Sequence, residues 1–351
     1  MTDAPRAPAH DEVELSAFGP GYGESLLVHL GDGQWMLVDS CLKAGRLPAL
    51  DYLGAMGIDP AAAISLVVAT HWHDDHVRGI SKALAACPQA GFACSAAISR
   101  DELISAIGSL PPTRARRVTS GVREMRAVLE QLGDTSNRRT LKWAMQDRML
   151  LERTSGVACR VLALAPCDRV LADAFREIAE LVGQGASGRV PRPDRNLGAV
   201  VLWVEVGDAT ILLGSDLQET GEVQTGWTAV IGCRDGKDRR GEVFKVPHHG
   251  SGNGHQPRVW REMLVDSPEA VVCPHERGKN RLPSAQDLER LCKMGNVHLT
   301  AGLPSGSIPI RRGRPGRLAV PDFGRVTLRR LVGDAAWRVD YAAPASRCCL
   351  T

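Results

Sequence analysis

Short apolar runs separated by glycine-rich turns open the chain. VELSAF from Val13, SLLVHL from Ser25 and QWMLVDS from Gln34 each fit a strand, with GPGYGE and GDG between them. Asp32-Gly33 is a two-residue hairpin signal. From Leu47 to Met56 the apolar spacing becomes helical and stops at Gly57. ISLVVAT (64–70) reads as a buried strand, followed by HWHDDHVRG, a helix in ISKALAAC and a strand in GFACSAAIS. Residues 101–153 differ: VREMRAVLEQLG and LKWAMQDRMLLER carry a 3.6-residue period and predict a helical insertion. Strands return in RVLALAP, in the hairpin AVVLWVEVGDATILLGSD, and in GEVFKVP, EAVVC and VHLTA, and β character resumes from Gly324. VLADAFREIAELVG and SAQDLERLCKM read as helices. The Gly/Pro/Arg-rich stretches 183–195 and 301–317 read as loops, and the Pro/Ala-rich first ten residues as a mobile start. Hairpins interleaved with helices predict an α/β fold of two packed sheets flanked by helices.

Composition excludes several classes. Of 351 residues, 44% are hydrophobic and 24% charged, which rules out wholesale disorder. The chain is read as one domain, 1–351, with a basic helical insertion at about 101–153. A formal net charge of +3 does not by itself mark a nucleic-acid binder. No apolar run is long enough to span a membrane, and MTDAPRAPAHDEVE lacks the apolar stretch of a secretory signal, so a cytoplasmic protein with no membrane partner is expected. Ten cysteines without a C-x-x-C pair read as thiols, most of them buried, and Cys348 and Cys349 are left in a loose tail.

The chemistry concentrates in His71-x-His73-x-Asp75-His76, directly after a buried strand. Extended backbone places residues i and i+2 on one face, so His71 and His73 can grip one metal. Asp75 and His76 fall where the chain turns into the next helix and can reach a second. Imidazole and carboxylate suit zinc first, with manganese or iron also accommodated. His29, His255, His275 and His298 stand alone in the sequence and read as structural or exposed.

The H-x-H-x-D-H motif resembles the signature of the metallo-β-lactamase-fold superfamily. FGPGYGESLLVHL…MLVDS, NLGAVVLWVEVGDATILLGSD, VFKVPHHGSGN and VVCPHERGKNRLPSAQDLERLCKMGNVHLTA resemble, in order, segments of the subgroup that includes the hydrolase domain of the DNA-uptake protein ComEC. Leu282 stands where that subgroup often has a histidine. The resemblance implies an αββα sandwich with two divalent ions at the open edge between the sheets. His71 and His73 would hold one ion, and Asp75, His76 and His249 the other, with Asp216 bridging. His248 would face the substrate as hydrogen-bond donor or general acid, with the roles of His248 and His249 open to reversal. Asp39 would orient a ligand histidine, and Ser251 would help cradle a phosphate oxygen. Many superfamily members carry a further ligand histidine between the first motif and the bridging aspartate. Here no histidine occurs between His76 and His248, so Asn196 or water would fill that place, which argues against a true β-lactamase.

Such a site suits phosphodiesters, thioesters, lactones and β-lactams alike. The subgroup resemblance and regional charge favour phosphodiesters. From 111 to 153 there are ten Lys/Arg against five Asp/Glu, including Arg114, Arg116, Arg117, Arg123, Arg126, Arg138, Arg139 and Lys142, and Arg311, Arg312, Arg314 and Arg317 follow in the late loop. The expected activity is therefore a metal-dependent phosphodiesterase or nuclease acting on nucleic acid or a nucleotide. The alternatives are an ester, lactone or thioester hydrolase, or a protein-binding component of a larger system with a partly silent metal site.

Overall fold

In a computed structural model the described residues are 5–19, 23–97, 120–134, 139–183, 195–233, 239–275, 281–301 and 324–348. They form two eight-stranded sheets. The first contains β1 (Glu12–Gly19), β2 (Ser25–His29), β3 (Trp35–Val38), β4 (Ile64–Ala69), β5 (Gly91–Ser95), β6 (Leu141–Ala144), β14 (Gly324–Leu331) and β15 (Arg338–Ala342), in the order β15-β14-β1-β2-β3-β4-β5-β6. The second contains β7 (Arg148–Arg153), β8 (Cys159–Ala163), β9 (Leu202–Val206), β10 (Ala209–Leu213), β11 (Gly241–Lys245), β12 (Leu264–Val272), β13 (Asn296–Leu299) and β16 (Ser346–Arg347), in the order β16-β13-β12-β11-β10-β9-β8-β7.

Alternation along the strands explains the layering. Leu26 and Val28 of β2, Met36 and Val38 of β3, Val204 of β9, Ile211 of β10 and Val243 of β11 meet in the layer between the sheets. The intervening residues Leu27, Trp35, Leu37 and Val67 face a second core under the helices α1 (Pro48–Ala55), α2 (Pro60–Ala63), α3 (Asp74–Val77), α4 (Ile80–Ala86) and α5 (Ser120–Gly133). On the other side, Trp203, Leu212 and Phe244 face a third core that includes residues of α7 (Gly226–Gly232) and α8 (Ala285–Cys292); α6 (Asp168–Gly183) leads from β8 toward β9. With both faces of each sheet covered, the central strands read as continuous apolar runs. The result is the αββα sandwich that the sequence implies.

Three expectations change. LKWAMQDRMLLER is not helical: it forms β6, parallel to β5, and β7, antiparallel to β8, so it supplies one edge of each sheet. Asp147, at φ 58°, turns the chain between them. The open ladder edges of β5 and β8 satisfy this segment's backbone groups in a way that outweighs its helical period. Within the insertion only α5 is a described helix, and 98–119 and 135–138 lie outside the described residues. The described part of the first ten residues, from residue 5 on, is also tied down: the Arg6 guanidinium donates to Glu12 at 2.6 Å, and Arg329 Nη2 donates to the Arg6 carbonyl at 2.8 Å. Cys348 is buried, its N–H bonds the Val297 carbonyl, and its sulfur lies 3.0 Å from that of Cys292. Seven of the nine described cysteines are buried and none is in a disulfide, as the thiol reading expects. The loop stretches at 184–194 and 302–323, with Cys349, fall outside the described residues.

β3, β4 and β5 run parallel, as do β10, β11, β12 and β13. Their carboxyl ends carry Asp39, His71, Asp216, His249 and Cys273 just beyond the last strand residue. This is the end of a parallel sheet where chain reversal gathers side chains from different strands.

Candidate metal centre

His71 follows Thr70 off β4, and the backbone at His73 stays extended at φ −78°, ψ 144° before α3 begins. That geometry brings His71 Nε2 within 3.0 Å of His73 Nδ1. The first turn of α3 then places Asp75 and His76 toward the same centre. His76 Nε2 lies 3.3 Å from Asp216 Oδ1, and Asp216 Oδ2 lies 4.0 Å from His71 Nε2 and 3.5 Å from His249 Nε2. His249 Nε2 is also 3.4 Å from Asp75 Oδ2. His71, His76 and Asp216 form one group with donor atoms close enough to share an ion, and Asp75, His76 and His249 form another.

Supporting bonds fix these donors. Asp39 accepts from the Thr70 N–H, the Thr70 hydroxyl and His76 Nδ1, each at 2.7 Å. This holds His76 with Nε2 aimed into the centre, the orienting role that the resemblance implies for Asp39. His249 Nδ1 bonds the Cys273 carbonyl at 2.9 Å, which turns its Nε2 inward in the same way. His248 faces elsewhere. Its Nδ1 bonds Asn253 Oδ1 at 2.7 Å, and its Nε2 lies 3.3 Å from Asn196 Nδ2. The amide donating to Nε2 and the carbonyl accepting at Nδ1 together put the neutral ring's proton on Nδ1. The Ser251 hydroxyl donates to the same Asn253 oxygen. Asn196 therefore stands beside His248 as its partner.

Four of the eight described non-glycine residues with positive φ belong to this region: Asp39 (57°), Ser215 (46°), His248 (47°) and His249 (53°). Such backbone costs energy and survives where surrounding structure enforces it. Here it aims adjacent histidines of one loop in different directions.

The donor set fits divalent ions. His76 Nε2 and Asp216 Oδ1 are buried, face each other at 3.3 Å and have no other hydrogen-bond partner, an arrangement that a cation between them, a proton or a metal ion, makes tolerable. The electrostatics agree. His71 is held well below the ordinary imidazole value by burial and by neighbouring His76 and His73, so it stays neutral. Burial would raise Asp75 and Asp216. Hydrogen bonds to His249 and His275 instead hold Asp75 well below the carboxylate range, and the charges of His249 and His76 do the same for Asp216. Burial lowers His76 and His249, but Asp216 and the other nearby carboxylates outweigh it and raise both. In the metal-free protein these two rings hold protons that an incoming cation must displace. Zinc or manganese affinity is therefore expected to rise with pH from below the ordinary imidazole value of about 6.5 up to the raised values of these rings, by up to about tenfold per unit for each proton displaced. Chelator competition across that range measures it, and a flat profile would show that neither ring is a ligand.

Three residues near the centre are not legible in the sequence reading. His275, taken there as isolated, lies 3.3 Å by Nδ1 from Asp75 Oδ2, with its ring centroid 5.0 Å from that of His249. It follows the carboxyl end of β12, as the other histidines follow β4 and β11, and that placement is the signal available in the sequence. It also pairs by backbone with Leu282. Glu24 and Lys245 are the other two, both buried and 2.5 Å apart. A lysine inside the apolar run GEVFKVP is the clue to that pair. Of the remaining isolated histidines, His298 is buried between Glu269 and Tyr341, at 2.6 Å from each, and His29 is buried against the Glu12 carbonyl. His255 is pushed down to about 4 by burial and by Arg290.

The described part of the insertion begins at this centre. Gly121 N–H donates to Asp74 Oδ1 at 2.5 Å, and a Cβ on Gly121 would meet the Trp72 carbonyl. Arg123 and Arg126 are exposed on α5, with Arg126 paired to Glu130. Arg139 and Lys142 are spent on the carbonyls of Leu84, Cys87 and Leu150. Arg114, Arg116, Arg117, Arg138, Arg311, Arg312, Arg314 and Arg317 lie outside the described residues. Among the described residues no helix is long and apolar enough to cross a membrane.

A family model described as the metallo-beta-lactamase superfamily matches residues 18–275. Similar solved structures include the metallo-beta-lactamase fold protein YhfI from Bacillus subtilis, at 14% identity over 82% of this chain and 96% of that one, with a TM-score of 0.44. They also include the metallo-beta-lactamase SMB-1 bound to 2-mercaptoethanesulfonate, at 14% identity over 74% and 87%, TM-score 0.36. A third is the E377D mutant of CmlA beta-hydroxylase, at 12% identity over 92% and 55%, TM-score 0.43. No curated protein matches the chain.

Proposed function

This chain belongs to the metallo-beta-lactamase superfamily, and from that premise we propose that it is a metal-dependent phosphodiesterase or nuclease. The observation that carries the reading is the His248–Ser251 loop, where one imidazole faces the metal centre and its neighbour does not. The similarity of VFKVPHHGSGN and its companion segments to the ComEC-like subgroup supports the same choice.

His71, His73, Asp75, His76, Asp216 and His249 would hold two divalent ions, zinc first and manganese or iron also suited. Bound there, the ions supply Lewis acidity and a water acidified toward neutrality. The chain's own residues do the rest. Asp39 and the Cys273 carbonyl keep His76 and His249 oriented. Asn253 holds His248 by Nδ1, so that ring's Nε2 is the atom that takes a proton and returns it to a leaving oxygen. Ser251 and the adjacent backbone lie within the same loop to receive a phosphate oxygen.

Hydrolysis of a chromogenic phosphodiester, of DNA and RNA, of cyclic nucleotides, and of lactone, thioester and β-lactam substrates, with zinc or manganese added, tests the reading. Turnover confined to phosphodiesters is expected, and turnover confined to carboxylic esters would overturn it. For a polymeric substrate, binding should weaken with salt by a log–log slope of about −0.7 per phosphate contacted on single strands. Charge reversal at Arg114, Arg116 and Arg117 should flatten that slope while hydrolysis of the small chromogenic diester stays near the unmodified rate. Salt-independent polymer binding would remove nucleic acid as the partner.

A further inference from the structure

Lys245 is the anomaly of the sandwich core, a fully buried lysine on a central strand. On β11 it shares the parity of Val243, so its side chain enters the layer between the sheets, where it is fully buried. Glu24 precedes β2 and shares the parity of Leu26 and Val28, so it enters the same layer from the opposite sheet. They meet at 2.5 Å, and Lys245 Nζ also lies 3.2 Å from the Ser215 carbonyl, next to Asp216. The second Glu24 oxygen, Oε2, is buried and makes no hydrogen bond. It lies 3.6 Å from His249 Nδ1, and Oε1 lies 3.8 Å from His76 Nδ1. The Glu24 N–H donates to the Asp75 carbonyl at 2.9 Å, so the backbone of the same residue is tied to the metal loop.

Taking such a pair out of water is costly, and an apolar pair of similar volume would fill the layer as well. Its placement argues for a use. The carboxylate touches the rear of two candidate ligands that come from different sheets, while the ammonium stands by the strand end leading to Asp216. On the metal-centre reading above, we propose that the Glu24–Lys245 pair positions His76 and His249 and sets the charge felt by the bound ions. Glu24 supplies negative charge behind both rings, and Lys245 limits it.

The two halves of the pair then have opposite signs. Glu24→Gln leaves a buried cation facing the incoming ions, and zinc affinity should fall by about 10- to 100-fold, the range for losing a residue that supports a ligand histidine. Lys245→Met leaves the carboxylate uncompensated, and affinity should hold or rise by up to about tenfold. The double variant should return to within a few-fold of the unmodified protein. Chelator competition with zinc alone, on the full chain, reads all three, with thermal unfolding in chelator as a folding check. A packing role predicts that both single variants lose affinity, and that outcome overturns the proposal, as does equal affinity in all three. Should Glu24→Gln fail to fold, Lys245→Met still separates the two, because charge predicts retention or gain and packing predicts loss. If the unmodified protein takes up no zinc, the metal-centre reading fails and this inference with it. If it takes up zinc and the variants match it, only the inference fails.

Discussion

Asp216→Ala is expected to strip more metal from the protein than loss of any one histidine. Asp216 reaches His76 by one oxygen at 3.3 Å and His249 and His71 by the other, at 3.5 and 4.0 Å. It lies within 4.0 Å of histidines from both groups of donors, and it is buried. Its removal leaves His71, His76 and His249 close together with less negative charge among them, which penalises an incoming dication twice, by a lost ligand and by lost field. Supporting residues of metal ligands are worth about 10–100-fold in affinity, so a carboxylate that itself faces three candidate ligand histidines should cost at least about 100-fold. Elemental analysis of protein purified without chelator, followed by zinc titration, provides the measurement. Near-normal metal content in Asp216→Ala would show that the ions, if bound, do not lie between these groups.

Adjacent histidines of one loop should give opposite phenotypes. His249→Ala should lose metal, because its Nε2 faces Asp75 and Asp216 while the Cys273 carbonyl holds its other nitrogen. His248→Ala should keep metal and slow phosphodiester turnover by about 10²- to 10⁴-fold, the span for losing a general acid. Its ring is held by Asn253 and Asn196 and touches none of the carboxylates of the centre. Both residues sit at positive φ, where alanine adds strain. Asparagine tolerates that backbone better, so His248→Asn should reproduce the rate loss if the imidazole is responsible. Equal metal loss in the two alanine variants would undo this division of roles.

The cluster of candidate donors at 71–76 was legible because its spacing is local. His71 and His73 lie two apart on extended backbone, and Asp75 and His76 follow in the first helical turn, so local backbone geometry alone brings them together. The central strands were legible for a related reason: burial on both faces writes continuous apolar runs into β3, β4, β10 and β11. The edges were not. LKWAMQDRMLLER carries a helical period, yet β5 and β8 offer unpaired backbone groups that only the assembled sheets present.

The same limit applies at the centre. His275 reads as a lone histidine until β12 is laid parallel to β11, which puts it beside Asp75. Glu24 and Lys245 read as unrelated charges until β2 and β11 face each other across the core. By itself the sequence determined the local cluster of candidate donors at 71–76 and which segments must be buried, because both are properties of near neighbours. Only the tertiary structure decided which distant groups stand behind them, because sheet order and the facing of two sheets are fixed by pairing and packing between segments far apart in the chain.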